Sequence, residues 1–124
     1  MVQPYQHAID TYGETGLVYF DGELSHAFRK APILALDVAP TEAFFAEEVI
    51  TPREPSADER RVADAAIAAS GPRLLYGRVD LVPATDGSPH VLEVELAEPS
   101  YFVAQSEGAA DRFAAAVERR LAGG

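Results

Sequence analysis

Apolar and polar positions along the chain fall into two periods. In LVYF and ELSHAF the apolar residues are strand-like, and the two runs flank Asp21-Gly22. Asp-Gly between such runs predicts a tight hairpin, because both central residues must take positive φ. A two-residue loop there puts Glu14 opposite Arg29. A second ribbon runs from about Leu74 to Leu96. Leu75, Gly77, Val79 and Leu81 share one face, with Tyr76, Arg78 and Asp80 on the other. In its return strand Leu92, Val94 and Leu96 oppose Glu93 and Glu95. Closing this ribbon at Asp86-Gly87 sets Asp80 opposite Glu93 and Arg78 opposite Glu95. A slip of one residue would turn one strand over and bury the acids.

Helical spacing appears twice. Val62, Ala63, Ala66 and Ile67 form an apolar stripe. Ser56 and Glu59 stand before it in capping-box order, and Gly71-Pro72 ends it. A last helix is predicted from about Ala109 to Leu121, with Ala110, Phe113, Val117 and Leu121 inward. Between the first hairpin and the first helix, residues 31–56 are rich in proline and acids and read as a long loop. One short element is expected near Phe44-Phe45. The opening MVQPYQ reads as strand-like. Two hairpins and two helices predict one α+β domain: an antiparallel sheet built from two hairpins, with helices packed on one face.

Composition narrows the function classes. At 124 residues and 48% hydrophobic the chain suits one packed domain rather than a disordered segment. There is no cysteine, so disulfides and thiolate metal sites are excluded. The absence of cysteine, of a secretory signal and of a membrane-length apolar run points to the cytoplasm. The net charge of −10 repels phosphate backbones and anionic lipid. No nucleic-acid and no membrane partner is expected. His7 and His90 read as exposed or turn residues, and Phe44 and Phe45 as loop anchors.

The second ribbon carries the candidate chemistry. Opposed carboxylates lie about 5 Å apart at Cβ and repel each other. A divalent cation with hard oxygen ligands removes that repulsion, and Mg²⁺ is commonly held by one or two carboxylates plus phosphate oxygens. The alternative is a solvated acidic face in which Arg78 simply pairs with Glu95. A glycosidase-type acid pair is a third reading, and no tryptophan is present to stack on a sugar.

In order, VQPYQ, LVYFDGELSHAFRKAP, YGRVDLV and VLEVELAEPS resemble the C-terminal half of the ATP-grasp fold. The likeness is to glutathione-synthetase-like ligases, including cyclo-ligases of the cycloserine-pathway type, and it covers nearly the whole chain. The resemblance implies that Val2, Gln3 and Tyr5 lie at the hinge that receives adenine. It implies that Asp80, Glu93 and Glu95 hold Mg²⁺, with Mn²⁺ able to substitute. Glu95 stands where relatives carry Asn. Arg29 and Lys30 match basic residues that face phosphate, and Arg78 orients the acids or touches phosphate. Ser25 and His26 lie in the same motif without an assigned role. The implied reaction transfers the γ-phosphoryl group of ATP to a small carboxylate substrate, amino-acid-like in kind. An amine or an internal nucleophile then displaces phosphate. The chain is expected to begin at the hinge and to need an N-terminal half supplied from elsewhere, being inactive without it. The segment from Leu36 to Pro55 matches a substrate-facing stretch that is often glycine-rich in relatives and has no glycine here. The alternative function is a noncatalytic module that binds a divalent cation or a partner and pairs with a separate first half. An edge left open for that half is also one on which two copies can pair.

Overall fold

The computed structural model describes residues 5–32, 49–71 and 74–123. Five antiparallel strands form one sheet in the order β3-β2-β1-β4-β5: β1 Glu14–Phe20, β2 Glu23–Lys30, β3 Ile50–Arg53, β4 Tyr76–Pro83 and β5 Pro89–Glu95. Among the described residues two α-helices join them, α1 at Ala57–Ala69 and α2 at Ala109–Ala122. The class is the α+β read from the sequence, with an antiparallel sheet built around two hairpins.

The first hairpin turns on Asp21 and Gly22, both at positive φ (53° and 82°). Tyr19 pairs with Leu24, but Val18 pairs with His26, so Ser25 is an extra residue in β2. This bulge turns Leu24 toward the same core as Ala27, and His26 and Phe28 the other way. It also moves the distal register by one. Glu14 lies opposite Lys30, not Arg29, and Thr15 opposite Arg29.

The second hairpin also departs from a plain two-residue loop. Ala84 and Ser88 close it through Ala84 N–H to the Ser88 carbonyl at 2.8 Å, and Gly87 takes φ 83°. The loop is thus one residue longer than expected. An irregularity between Asp80 and Leu81 then restores the offset, because Leu81 pairs with Val91 while Asp80 pairs with Glu93. The two changes cancel, and the expected pairs Asp80–Glu93 and Arg78–Glu95 are those observed.

Two cores lie on opposite faces of the sheet. On one, Leu17, Tyr19, Ala27, Val79 and Leu81 pack against Ala63 and Ile67 of α1. On the other, Val18, Phe20 and Phe28 pack against Ala116 of α2, with Tyr101, Phe102 and Phe113 beside them. The helices therefore do not share a face. Alternation along β1 explains this, since both of its faces are apolar and each must be covered. α1 starts as expected, with the Ser56 hydroxyl accepting from Glu59 N–H and the Glu59 carboxylate accepting from Ser56 N–H. The inward residues of α2 are Ala109, Phe113 and Ala116, whereas Leu121 is 79% exposed. Strand β3 lies inside the expected loop, and the Phe44-Phe45 element falls outside the described residues. Tyr5 and Gln6 are not in a strand, and His7–Asp10 form a 3-10 turn. Among the described residues no helix is long and apolar enough to cross a membrane.

Candidate functional site

The face that carries Val18 and Phe28 also carries the acids. Strand pairing lays its residues in rows across the sheet. One row runs Phe28–Gly16–Asp80–Glu93, and the next runs His26–Val18–Arg78–Glu95. Lys30 and Glu14 pair just beyond them. Gly16 is needed in its row. A Cβ there would lie 2.3 Å from Phe28 Cζ and 3.0 Å from Asp80 Oδ1. Its absence lets the buried Phe28 ring and the Asp80 carboxylate approach over β1.

Asp80 is 1% exposed and anchors a network. Arg78 Nε donates to both of its oxygens at 2.9 and 3.2 Å, and Arg78 Nη2 donates to Oδ2 at 2.9 Å. Lys30 Nζ donates to Oδ2 at 3.1 Å and lies 3.5 Å from Glu14. Arg78 Nη2 also pairs with Glu95 at 2.5 Å, and its Nη1 donates to the Ser100 carbonyl. Burial pushes the Arg78 guanidinium down. The hydrogen bonds and charge of Asp80, with the charges of Glu95 and Glu93, outweigh burial and hold its pKa above the usual arginine value. All three acids thus act on one guanidinium from the same side of the sheet.

The donor set suits a hard divalent ion in chemistry and charge. Four carboxylates (Glu14, Asp80, Glu93, Glu95) face two cations (Lys30, Arg78), an excess of two negative charges. Glu93 is exposed and Glu95 half-buried, so both reach solvent. As they stand, no three acidic or histidine side chains among the described residues converge closely enough to hold an ion. The guanidinium stands between Asp80 and Glu95.

Other expected site residues are placed differently. Lys30 reaches the carboxylates, but Arg29 lies on the opposite face. There Arg29 Nε donates to the Tyr12 carbonyl at 2.8 Å, and its guanidinium stacks over the Tyr12 ring at 4.9 Å. Arg29 and Lys30 are consecutive in a regular part of β2 and so cannot face one phosphate together. Tyr5 is 57% exposed and donates its hydroxyl to Asp10. Val2 and Gln3 fall outside the described residues. His7 and His90 are exposed, in keeping with their reading from sequence.

Two networks had no reading in the sequence. On the α1 face Glu59 accepts from Thr15 at 3.0 Å and from Arg53 at 2.9 and 3.0 Å. Burial pushes its carboxyl up, but these donors and the Ser56 N–H bring it net below the usual glutamate value. On the acid face His26 is 7% exposed. Its Nε2 lies 2.7 Å from the Tyr101 carbonyl, which can only accept, so Nε2 carries the proton. Nδ1 then accepts from the Ser25 hydroxyl at 2.9 Å. Burial lowers the His26 pKa, the Tyr101 carbonyl opposes that, and Arg112 lowers it further. Arg78 and His26 thereby hold consecutive carbonyls, Ser100 and Tyr101, against the same row.

No protein-family model matches the chain. It is 45% identical to the cycloserine biosynthesis protein DcsG of Streptomyces lavendulae over 98% of its own length and 42% of that protein. The crystal structure of D-cycloserine synthetase DcsG matches with a TM-score of 0.82 and 43% identity, over 96% of this chain and 41% of that one. The ATP-grasp ligase PsnB, solved with a precursor peptide and AMPPNP, matches with a TM-score of 0.55 at 21% identity, over 86% of this chain and 32% of PsnB. D-alanine–D-alanine ligase from Bacillus anthracis, complexed with ATP, matches with a TM-score of 0.53 at 17% identity, over 90% and 41%. The last two show a shared fold. The chain spans about two fifths of the length of DcsG, and its fold is like that of the ATP-grasp ligase PsnB.

Proposed function

We propose that this chain is the metal-bearing C-terminal portion of an ATP- and Mg²⁺-dependent ATP-grasp ligase that joins or cyclises a small amino-acid-like carboxylate through an acyl phosphate. The observation that carries this reading is the Asp80–Glu93 cross-strand pair, with Glu95 on the same face, in a chain 45% identical to DcsG. Asp80, Glu93 and Glu95 would hold the ion, with Mn²⁺ able to take its place. The chemistry supplied at that position would be neutralisation of ATP's phosphate oxygens, which an acidic protein otherwise repels. Lys30 compensates Asp80 and fixes its carboxylate, and Arg78 orients the acids. Gly16 keeps the floor of the site flat. Val2, Gln3 and Tyr5 would offer backbone groups to adenine. Arg29, on the far face, would act only by positioning the Tyr12 segment. The rest of the cleft would come from the ATP-grasp portion not represented in this chain, and the setting would be the cytoplasm.

A second reading is a noncatalytic cation- or partner-binding module. One observation favours its partner-binding form over its cation-binding form: Asp80 is already compensated by Arg78 and Lys30. Mixing this chain with the portion of DcsG outside the matched region, or fusing the two, separates the readings. Phosphate release from ATP with candidate amino-acid substrates should appear. It should fall by at least the roughly 10–100-fold that even outer-shell metal partners cost when Glu93 is replaced by Gln. Release that is absent, or that is indifferent to Glu93→Gln, rejects the ligase assignment.

A further inference from the structure

We propose that Arg78 is a resident counter-ion of the acid ribbon, and that a divalent cation binds only by displacing its guanidinium from Glu95. The inference rests on the metal site proposed above and explains why the three carboxylates do not converge.

The geometry is one of exclusion. Arg78 Nη2 lies 2.9 Å from Asp80 Oδ2 and 2.5 Å from Glu95 Oε2, so one nitrogen bridges the two carboxylates. An ion ligated by Asp80 and Glu95 would need the space and the oxygens this nitrogen uses. Like-charged groups cannot share them at such distances. Exchange is feasible because neither side is left bare. Lys30 stays on Asp80 and Glu14, so the buried Asp80 keeps a cation. The Arg78 head keeps a tether through Nη1 to the Ser100 carbonyl at 3.1 Å, about which it can swing. Glu95 is the movable partner: its side chain is 28% exposed, against 1% for Asp80.

Two consequences follow. Metal affinity in this chain is set by competition with its own arginine, and by linkage the metal weakens the Arg78–Glu95 pair as much as that pair weakens the metal. In addition, the guanidinium fork is occupied when the ion is absent and open when it is bound. A planar anion can then be received by Arg78 only after the cation.

The test follows arginine Nε–H resonances of the ¹⁵N-labelled full chain during MgCl₂ titration, with calorimetry on the unaltered chain and on Arg78→Gln. The Arg78 Nε resonance should shift along the calorimetric saturation curve, while that of Arg112, bound to Ser25 and Ser106, stays in place. Arg78→Gln should bind Mg²⁺ more tightly, by about tenfold or more, because a unit positive charge is removed a few ångströms from the ion. Mg²⁺ binding by the unaltered chain with an unmoved Arg78 resonance overturns the inference and leaves the metal site standing. So does weaker binding by a folded Arg78→Gln. If that variant does not fold, the resonance shift in the unaltered chain alone decides. Absence of Mg²⁺ binding in both proteins overturns the metal site and the inference with it.

Discussion

Asp80→Asn isolates what the buried carboxylate does for the fold. The substitution keeps shape and one acceptor but removes the charge that compensates Arg78 and Lys30 in a setting where Asp80 is 1% exposed. Removing one partner of a buried ion pair costs about 3–5 kcal/mol, because the other charge is left without compensation. Here Arg78 retains Glu95 and the Ser100 carbonyl, and Lys30 retains Glu14. The expected loss is therefore at the low end, about 3 kcal/mol, against a total of about 5–15 kcal/mol for a domain of this kind. In urea, with a slope of about 1.5–2 kcal/mol/M, the midpoint should fall by about 1.5–2 M. Glu93→Gln makes the same change of charge at an exposed position and should move stability by no more than about 0.5 kcal/mol. A loss under about 1 kcal/mol for Asp80→Asn, or equal losses in the two variants, would refute the view that Arg78 and Lys30 depend on this carboxylate.

Other consequences are open to measurement. Gly16→Ala drives a methyl into Phe28, which is packed against Phe102 at 4.6 Å between ring centroids. Thermal or urea melts should show a loss of about 1–3 kcal/mol. Ser56→Ala removes half of the capping box at α1 and should cost about 1 kcal/mol by the same assay. His26 is buried with its pKa lowered from 6.5, so the unfolded chain takes up a proton first as pH falls. Its contribution to stability is full above pH 6.5 and lost as pH drops from there toward the folded pKa; His26→Asn should flatten that segment of a melting-temperature profile. Glu59 acts lower. Its pKa is depressed from 4.5, so its contribution is full above pH 4.5 and lost as pH falls through the folded value, and Glu59→Gln should remove that acid-limb dependence.

What was legible in the sequence was what local chemistry fixes. Asp21-Gly22 gave the first turn, Ser56 and Glu59 the start of α1, and the alternation around Asp80 the acid face. The register of the second hairpin came out as expected although its loop is longer, because the irregularity beside Asp80 compensates. The bulge at Ser25 was not legible. It exists because Leu24 must meet one core and His26 the other, a demand made by helices distant in sequence. β3 was hidden by Thr51-Pro52, which offers little alternation and suits only an edge. The inward face of α2 was misread because alanines at 109 and 116, not larger residues, let the helix approach the sheet. The split of Arg29 from Lys30 follows directly from strand alternation. The placement of Arg78 between two acids needed coordinates, since pairing gives a partner across the ribbon but not which oxygen a guanidinium takes.

The proposed chemistry requires the acid ribbon to take up a divalent ion. Calorimetric titration of Mg²⁺, repeated with Mn²⁺, into the unaltered chain and into Glu93→Gln tests this most directly, because that variant should fold as the original does. Saturable binding by the unaltered chain, weakened by roughly tenfold or more in Glu93→Gln, is the predicted result. Identical isotherms for the two proteins, or no uptake by either, would contradict it.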